Sequence, residues 1–327
     1  MTAPSKWSLL DLATVTPGQS VGAALANTVS LAQHAERLGF ERVWYAEHHN
    51  FAAIASSSPA VLIAHVAAHT KTIRLGAGGV MLPNHAPLTI AEQFGMLEHL
   101  HPGRIDLGLG RAPGTDQATF RALRRRPESA DAFPNDVLEL QAFLDDESVI
   151  PGVHANPGRG THVPLYILGS SLFGASLAAE LGLPYAFASH FAPHALEEAV
   201  SLYRARFRPS EQLKSPYVIA GLNLVAAPTR AEAEAEFHVR KRGMVSALFG
   251  RGRTLSDDEG DALLRSPAGE QVAQMLSCAA VGTPDEVKRS AETFAKRAQA
   301  DELMLALGSP TLEGRVRSME LLRAVVR

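Results

Sequence analysis

The feature that most constrains this chain is an alternation, in which short β-branched or aliphatic runs are each followed by a longer stretch of helical periodicity. Strands separated by helices build parallel βαβ units, because a parallel neighbour can be reached only through a crossover. The runs predict strands near Trp7 to Leu10, Arg42 to Ala46, Ile73 to Gly76, Ile105 to Leu109, Leu165 to Leu168, Tyr185 to Ala188, Val218 to Val225 and Leu303 to Ala306. Eight such units predict an α/β fold, a closed (β/α)8 TIM barrel. A barrel of this kind needs about 250 residues, and the chain has 327. The surplus is expected as insertions in the βα loops near 112–135, 148–162 and 250–280. With no internal repeat and no low-complexity linker, one domain over residues 1–327 is the economical expectation.

The helices carry their own punctuation. Leu31, Ala35 and Leu38 share one helical face before Gly39 stands at a C′ position. Pro87 opens a helix that Pro102 and Gly103 close.

Composition excludes several classes of function. A net charge of -3, from 31 basic and 34 acidic residues, leaves no electrostatic footprint for nucleic acid or an anionic membrane. The one concentrated basic run, Arg121, Arg124, Arg125 and Arg126, reads as a solvated helix end. The single cysteine, Cys278, rules out an internal disulfide and reads as a buried small hydrophobe, which fits a reducing compartment. No run approaches the roughly 18 apolar residues of a membrane span, and MTAPSKWSLL lacks the charged start and apolar core of a secretion signal. A cytoplasmic location is expected.

In a barrel of this type chemistry sits where strands end and βα loops begin. Five consecutive strand ends here are polar or glycine-rich: AEHHN, GAGGVMLPNH, GLGRAPG, GSS and ASHF. Glu47, His48 and His49 invite a metal reading, but adjacent side chains of an extended segment point to opposite faces, and neither an HExxH word nor a cysteine cluster assists. No metal is expected, and His49 reads as the wall histidine of the pair. DLGLGRAPG fails as a dinucleotide fingerprint, because the third glycine would fall at Pro113. It leaves Arg111 at a strand end, suited to a phosphate or to a surface ion pair. Gly169, Ser170 and Ser171 stand between a strand and a helix, as an anion site at the first helical turn or as an ordinary N-cap. Gly78 and Gly79 leave bare backbone against which a flat ring could lie, or serve barrel packing.

Taken together these words resemble the bacterial luciferase-like flavin-dependent monooxygenase family. WYAEHHN, the run from IRLGAGGV to GLGRAPG, PLYILGSSLFGASLAAELGLPYAFASHF and the late VGTPDEV fall in that family's order over nearly the whole chain. The resemblance implies FMN at the C-terminal end of the barrel, with His48 as the catalytic-site histidine and Arg111, Gly169, Ser170 and Ser171 as phosphate contacts. It implies a cis peptide at Gly78 and Gly79 beneath the flavin ring. Gly110 stands where the luciferase α chain has a reactive cysteine, and the luciferase mobile loop is represented only by the shorter, unlike 250–280 region. The non-luminous members are therefore the nearer likeness.

The function so implied is a monooxygenase that takes reduced FMN as cosubstrate from a separate flavin reductase. It would use O2, through a C4a-(hydro)peroxide, to oxygenate a small organic substrate such as an aldehyde. His48 would manage the proton, because an imidazole titrates near neutral pH, and 250–280 would be the cover that excludes water. A homodimer or higher homo-oligomer is expected. A deazaflavin-dependent dehydrogenase on the same barrel and a non-catalytic FMN-binding protein are the alternatives, with a metal-dependent hydrolase behind them.

Overall fold

The computed structural model describes residues 6–112, 115–250, 253 and 255–326. Residues 113–114 and 251, 252 and 254, which belong to two of the expected insertions, lie outside it. Nine strands are present among the described residues: β1 (Lys6–Asp11), β2 (Arg42–Tyr45), β3 (Arg74–Met81), β4 (Ile105–Gly110), β5 (Leu165–Gly169), β6 (Tyr185–Phe187), β7 (Val218–Ala226), β8 (Ala279–Gly282) and β9 (Glu302–Leu307). Eight of them close a parallel barrel in the order β1-β2-β3-β4-β5-β6-β7-β9, with β9 pairing back onto β1 and β6 onto β7. All eight are the strands that the sequence predicts. The ninth, β8, was not expected; it adds to the C-terminal part of β7, with Asn223 opposite Ala279. Strand β3 also runs further than expected, because GAGGVM continues the strand that its glycines had disguised as loop.

The crossovers supply the outer layer. They are α1 (Val21–Arg37), α2 (Pro59–Ala67), α3 (Pro87–Leu100), α4 (Gln117–Ala122), α5 (Phe133–Leu144), α6 (Leu172–Leu181) and α7 (Leu196–Arg206), then α8 (Arg230–Phe249), α9 (Asp257–Leu264), α10 (Pro267–Met275), α11 (Pro284–Arg297) and α12 (Leu312–Val325). Ser20 caps α1 by accepting the amide of Ala23, and Gly39 takes the left-handed φ of +72° that lets the chain turn into β2. Pro87 occupies the first turn of α3, where its missing N–H costs nothing. The 112–135 segment holds α4 and the start of α5, whereas 148–162 has no regular element. The 250–280 segment is largely folded: α9 and α10 pack on α8 around Phe237, Val245, Val272 and Leu276. Cys278 is buried and accepts a hydrogen bond from Arg297 at 3.3 Å. No described helix is long and apolar enough to cross a membrane.

Side chains alternate across each strand, so Val43 and Tyr45 face the helices while Arg42 and Trp44 face the barrel axis. The interior is layered. At the N-terminal floor the buried Arg42 donates to Asp106 at 2.7 Å, to Glu302 at 2.9 Å and to the hydroxyl of Tyr166 at 2.8 Å. Arg74 donates to the other oxygen of Asp106 at 3.0 Å, and Tyr217 donates to Glu302 at 2.6 Å. Burial alone would disfavour the charge on Arg42, but the Asp106 and Glu302 carboxylates outweigh it and raise its pKa. Above this floor lie Trp44, Tyr166, Ile219 and Met304, with Leu10 and Leu168 against them. The next inward positions are small: Gly78, Gly110, Gly221 and Ala306. A large layer beneath a small one leaves room at the C-terminal mouth.

Removing one partner from a buried ionic cluster leaves the others uncompensated. Asp106→Asn, which weakens the hold on both Arg42 and Arg74, is expected to lower unfolding free energy by about 3 to 5 kcal/mol. Urea denaturation reads this directly, and a loss under about 1 kcal/mol would mean the floor behaves like a surface pair.

Candidate active site

Glu47 organises the mouth at β2. Its side chain is 1% exposed, a burial that a lone carboxylate does not tolerate. It accepts from Nε2 of His49 at 2.8 Å, from Nε2 of His85 at 2.9 Å, from the amide of Met81 at 3.0 Å and from Nδ2 of Asn84 at 3.3 Å. Burial acts to raise its pKa, but the donors, His85 first, bring the net effect down. This carboxylate therefore ties the loop after β2 to the loop after β3. Arg125 adds a second tie by donating to the carbonyl of Asn84 at 3.1 Å, while Arg121, Arg124 and Arg126 are exposed. Among the described residues no His, Cys, Asp and Glu side chains converge as a metal ligand set.

His48 and His49, which lie past the end of β2, have different surroundings. His49 is taken by Glu47, whereas Nδ1 of His48 is sealed from solvent and has no partner. The His48 ring stands edge-on to Phe51, with centroids 5.8 Å apart. Burial lowers its pKa, more than the nearby Glu47 carboxylate raises it, so the ring is neutral at neutral pH.

Facing it is a residue that the sequence reasoning did not single out. His190, from the ASHF word after β6, also has a sealed, unpartnered Nδ1. Desolvation, with Arg240 and His48 adding to it, pushes its pKa down to about 3. Gly221 makes this possible, since a Cβ there would meet Nδ1 of His190 at 2.4 Å. Asn223 fixes the backbone beneath by donating to the carbonyl of His190 at 2.6 Å. A glycine in β7 opposite a strand-end histidine was the available signal.

On the β4 and β5 side, Arg111 is exposed and its guanidinium lies 4.2 Å from the ring centroid of Phe173 in the first turn of α6. Ser171 is the N-cap of α6, yet its side chain makes no capping hydrogen bond. The helix thus begins with unclaimed amides beside an arginine and two serine hydroxyls, an arrangement that can receive an anion. Gly169 leads into this turn. Gly78 and Gly79 lie between these two sides and are joined by a cis peptide. Gly78 packs so tightly that a Cβ would approach Cβ of Trp44 at 2.8 Å, and one at Gly79 would approach the carbonyl oxygen of Gly108 at 2.8 Å.

Comparison with known proteins identifies the family. The luciferase-like monooxygenase family matches residues 6–301. A luciferase-like monooxygenase from Escherichia coli (strain K12) is 45% identical over 318 residues, covering 96% of this chain and 95% of the relative. The N-acetyl-S-alkylcysteine monooxygenase of Bacillus subtilis (strain 168) is 35% identical over 258 residues, 76% of this chain and 75% of its own length. Among solved structures, apo-MsnO8 superposes with a TM-score of 0.87 at 35% identity, covering 98% of this chain and 96% of that one. The chain belongs to the luciferase-like monooxygenase family and is an enzyme of the oxidoreductase class, with the flavin-dependent monooxygenase type of chemistry.

The Glu47 clamp has a pH signature. A carboxylate whose folded pKa is depressed contributes stability that is fully present above its unfolded value, about 4.3, and is lost as pH falls through the lower folded value. The melting-temperature gap between the wild-type protein and Glu47→Gln is therefore expected to be widest near neutral pH and to close in acid. His49→Ala, which strips one donor from the clamp, is expected to cost about 1 to 3 kcal/mol. A gap independent of pH would show that Glu47 does not hold the loops by charge.

Proposed function

We propose that this chain is the oxygenase half of a two-component flavin system, taking reduced FMN from a separate reductase and using O2 to oxygenate a small organic substrate. The observation that carries the reading is the pairing, in one mouth, of an uncapped helix start beside Arg111 with the half-buried imidazole of His48, whose Nδ1 has no partner. The residues fit FMN in kind. A phosphate suits the first-turn amides of α6, the hydroxyls of Ser170 and Ser171 and the guanidinium of Arg111. A flat ring suits the small layer at Gly78 and Gly79. Reduced FMN, when bound, supplies the two electrons that let one oxygen atom enter the substrate while the other leaves as water.

The chain's own residues then have separable tasks. Arg111 and the Gly169, Ser170, Ser171 turn bind. Gly78 and Gly79, whose Cβ positions are filled by Trp44 and the Gly108 carbonyl, keep the strand close-packed beneath the ring. His48, whose half-buried setting favours the neutral ring, carries a proton on one ring nitrogen and becomes imidazolium when it accepts another on the second, so it can take up a proton and return it. His49 is excluded from this task by its bond to Glu47. Phe51 against the His48 ring, with the 250–280 helices further out, limits water.

For the substrate, an aldehyde is one candidate and a thioether another, the second supported by the Bacillus subtilis relative that acts on N-acetyl-S-alkylcysteine. The reading places the protein in the cytoplasm, where a reductase would reach it. It also makes the protein a homodimer or higher homo-oligomer through Val61, Met96 and Leu100, which α2 and α3 leave exposed; sedimentation equilibrium would give one chain's mass if that is wrong.

The test is a comparison of two flavins. Arg111→Ala is expected to weaken FMN by the roughly 1.5 to 3 kcal/mol of a charge-assisted contact while barely changing riboflavin, which lacks the phosphate. Equal losses would remove Arg111 from the phosphate. A chromophore with a deazaflavin spectrum, or reduced FMN that is oxidised no faster with protein and substrate present, would overturn the function itself.

A further inference from the structure

Arg240 projects from α8 toward the ends of β7 and β9, and nothing in the mechanism above uses it. Among the described residues its side chain makes one hydrogen bond, from Nη2 to Oδ1 of Asn223 at 3.2 Å. Its Nε is sealed from solvent and has no partner. The guanidinium groups on the barrel floor are treated differently: Arg42 has Asp106 and Glu302, and Arg74 has Asp106. Arg240 forms no ion pair among the described residues, and the charge that acts on it is the like charge of Arg315. Desolvation, with that repulsion, pushes its pKa down to about 10, which still leaves it charged at neutral pH.

The surroundings hold this charge in place. A Cβ on Gly308, just past β9, would come within 3.0 Å of Cδ of Arg240 and within 2.8 Å of Cγ2 of Val225, so the absence of a side chain there makes space for the arginine stem. Asn223 is fully buried and commits its amide hydrogens to the carbonyls of His190 and Cys278, at 2.6 and 3.1 Å. Its oxygen is thereby fixed toward Arg240. Through Asn223 and His190 the guanidinium joins the rim that leads round to His48. Strand β9 stands four places from β4 in the ring of eight, so Arg240 and Arg111 occupy opposite sides of the mouth. A phosphate held at Arg111 does not reach both.

We propose that Arg240 receives a carboxylate, or an oxyanion of like geometry, belonging to the organic substrate, which lies across the mouth with its oxidisable atom toward His48. An unpaired, partly desolvated guanidinium is the group that a planar oxyanion matches best, and the same unpaired charge penalises a neutral substrate that leaves it unmatched. The inference rests on the monooxygenase reading for what happens at His48, but the anion preference is a binding property that can be measured without turnover.

The experiment uses calorimetry on the full chain, with and without FMN. The probes are N-acetyl-S-methylcysteine, N-acetylmethionine and octanoate, each against its methyl ester. At least one carboxylate is expected to bind about tenfold or more tighter than its ester. Arg240→Leu should erase that preference while leaving ester affinity and melting temperature near the wild-type values. The proposal is overturned if no carboxylate is preferred by the wild-type protein, or if Arg240→Leu keeps the preference or weakens acid and ester alike. Should the preference behave as expected while reduced FMN and O2 give no product from the bound carboxylate, the oxygenase reading falls and the assignment of Arg240 stands.

Discussion

The buried ionic floor of the barrel is the constraint on which the rest depends. Arg42, Asp106 and Glu302 are brought together from β2, β4 and β9, and Ser8, Tyr166, Arg74 and Tyr217 complete their hydrogen bonds. Such a cluster contributes little net stability over an apolar filling, but it tolerates no slip, since a shift by one residue would turn these charges outward and face apolar side chains inward. With the floor fixed, Trp44, Ile219 and Met304 fill the middle, and the next positions up can be glycine or alanine without the barrel losing its register. The reactive mouth is small-lined because the floor and middle layers carry the packing.

Two carboxylates show how placement decides role. Glu302 on the floor and Glu47 at the mouth are equally buried, yet the first balances a permanent cation and the second is held by imidazoles and an amide. Glu47 therefore joins loops whose attachment varies with acid. By claiming His49 and His85 it also leaves His48 as the unclaimed imidazole of the AEHHN word.

Much of this was legible in the sequence, for physical reasons that can be named. Eight strands announced themselves because parallel strands buried on both faces are written as apolar runs, and Gly39 and Pro87 marked helix ends through backbone preferences that need no tertiary context. What escaped depended on distance along the chain. The pairing of Arg42 with Asp106 and Glu302 is invisible in any one strand word, because those partners lie 64 and 260 residues away. His85 lies 38 residues from Glu47, and His190 needs Gly221 to be seen as a mouth residue. Strand β8, only AAVG, is too short to stand out, and Arg240 sits on a helix dense with charges that face solvent.

The central claim is that the unclaimed imidazole at the mouth of β2 handles a proton during oxygen chemistry while its neighbour holds the wall. It is tested most directly by the hydrogen peroxide released per reduced FMN oxidised, measured together with melting temperature, for His48→Ala and His49→Ala in the presence of a substrate that the wild-type protein oxygenates. The account predicts that His48→Ala melts near the wild-type temperature but diverts most oxidising equivalents to peroxide, whereas His49→Ala melts lower and stays coupled. A His48→Ala protein that remains fully coupled, or a His49→Ala protein that uncouples in its place, would contradict it.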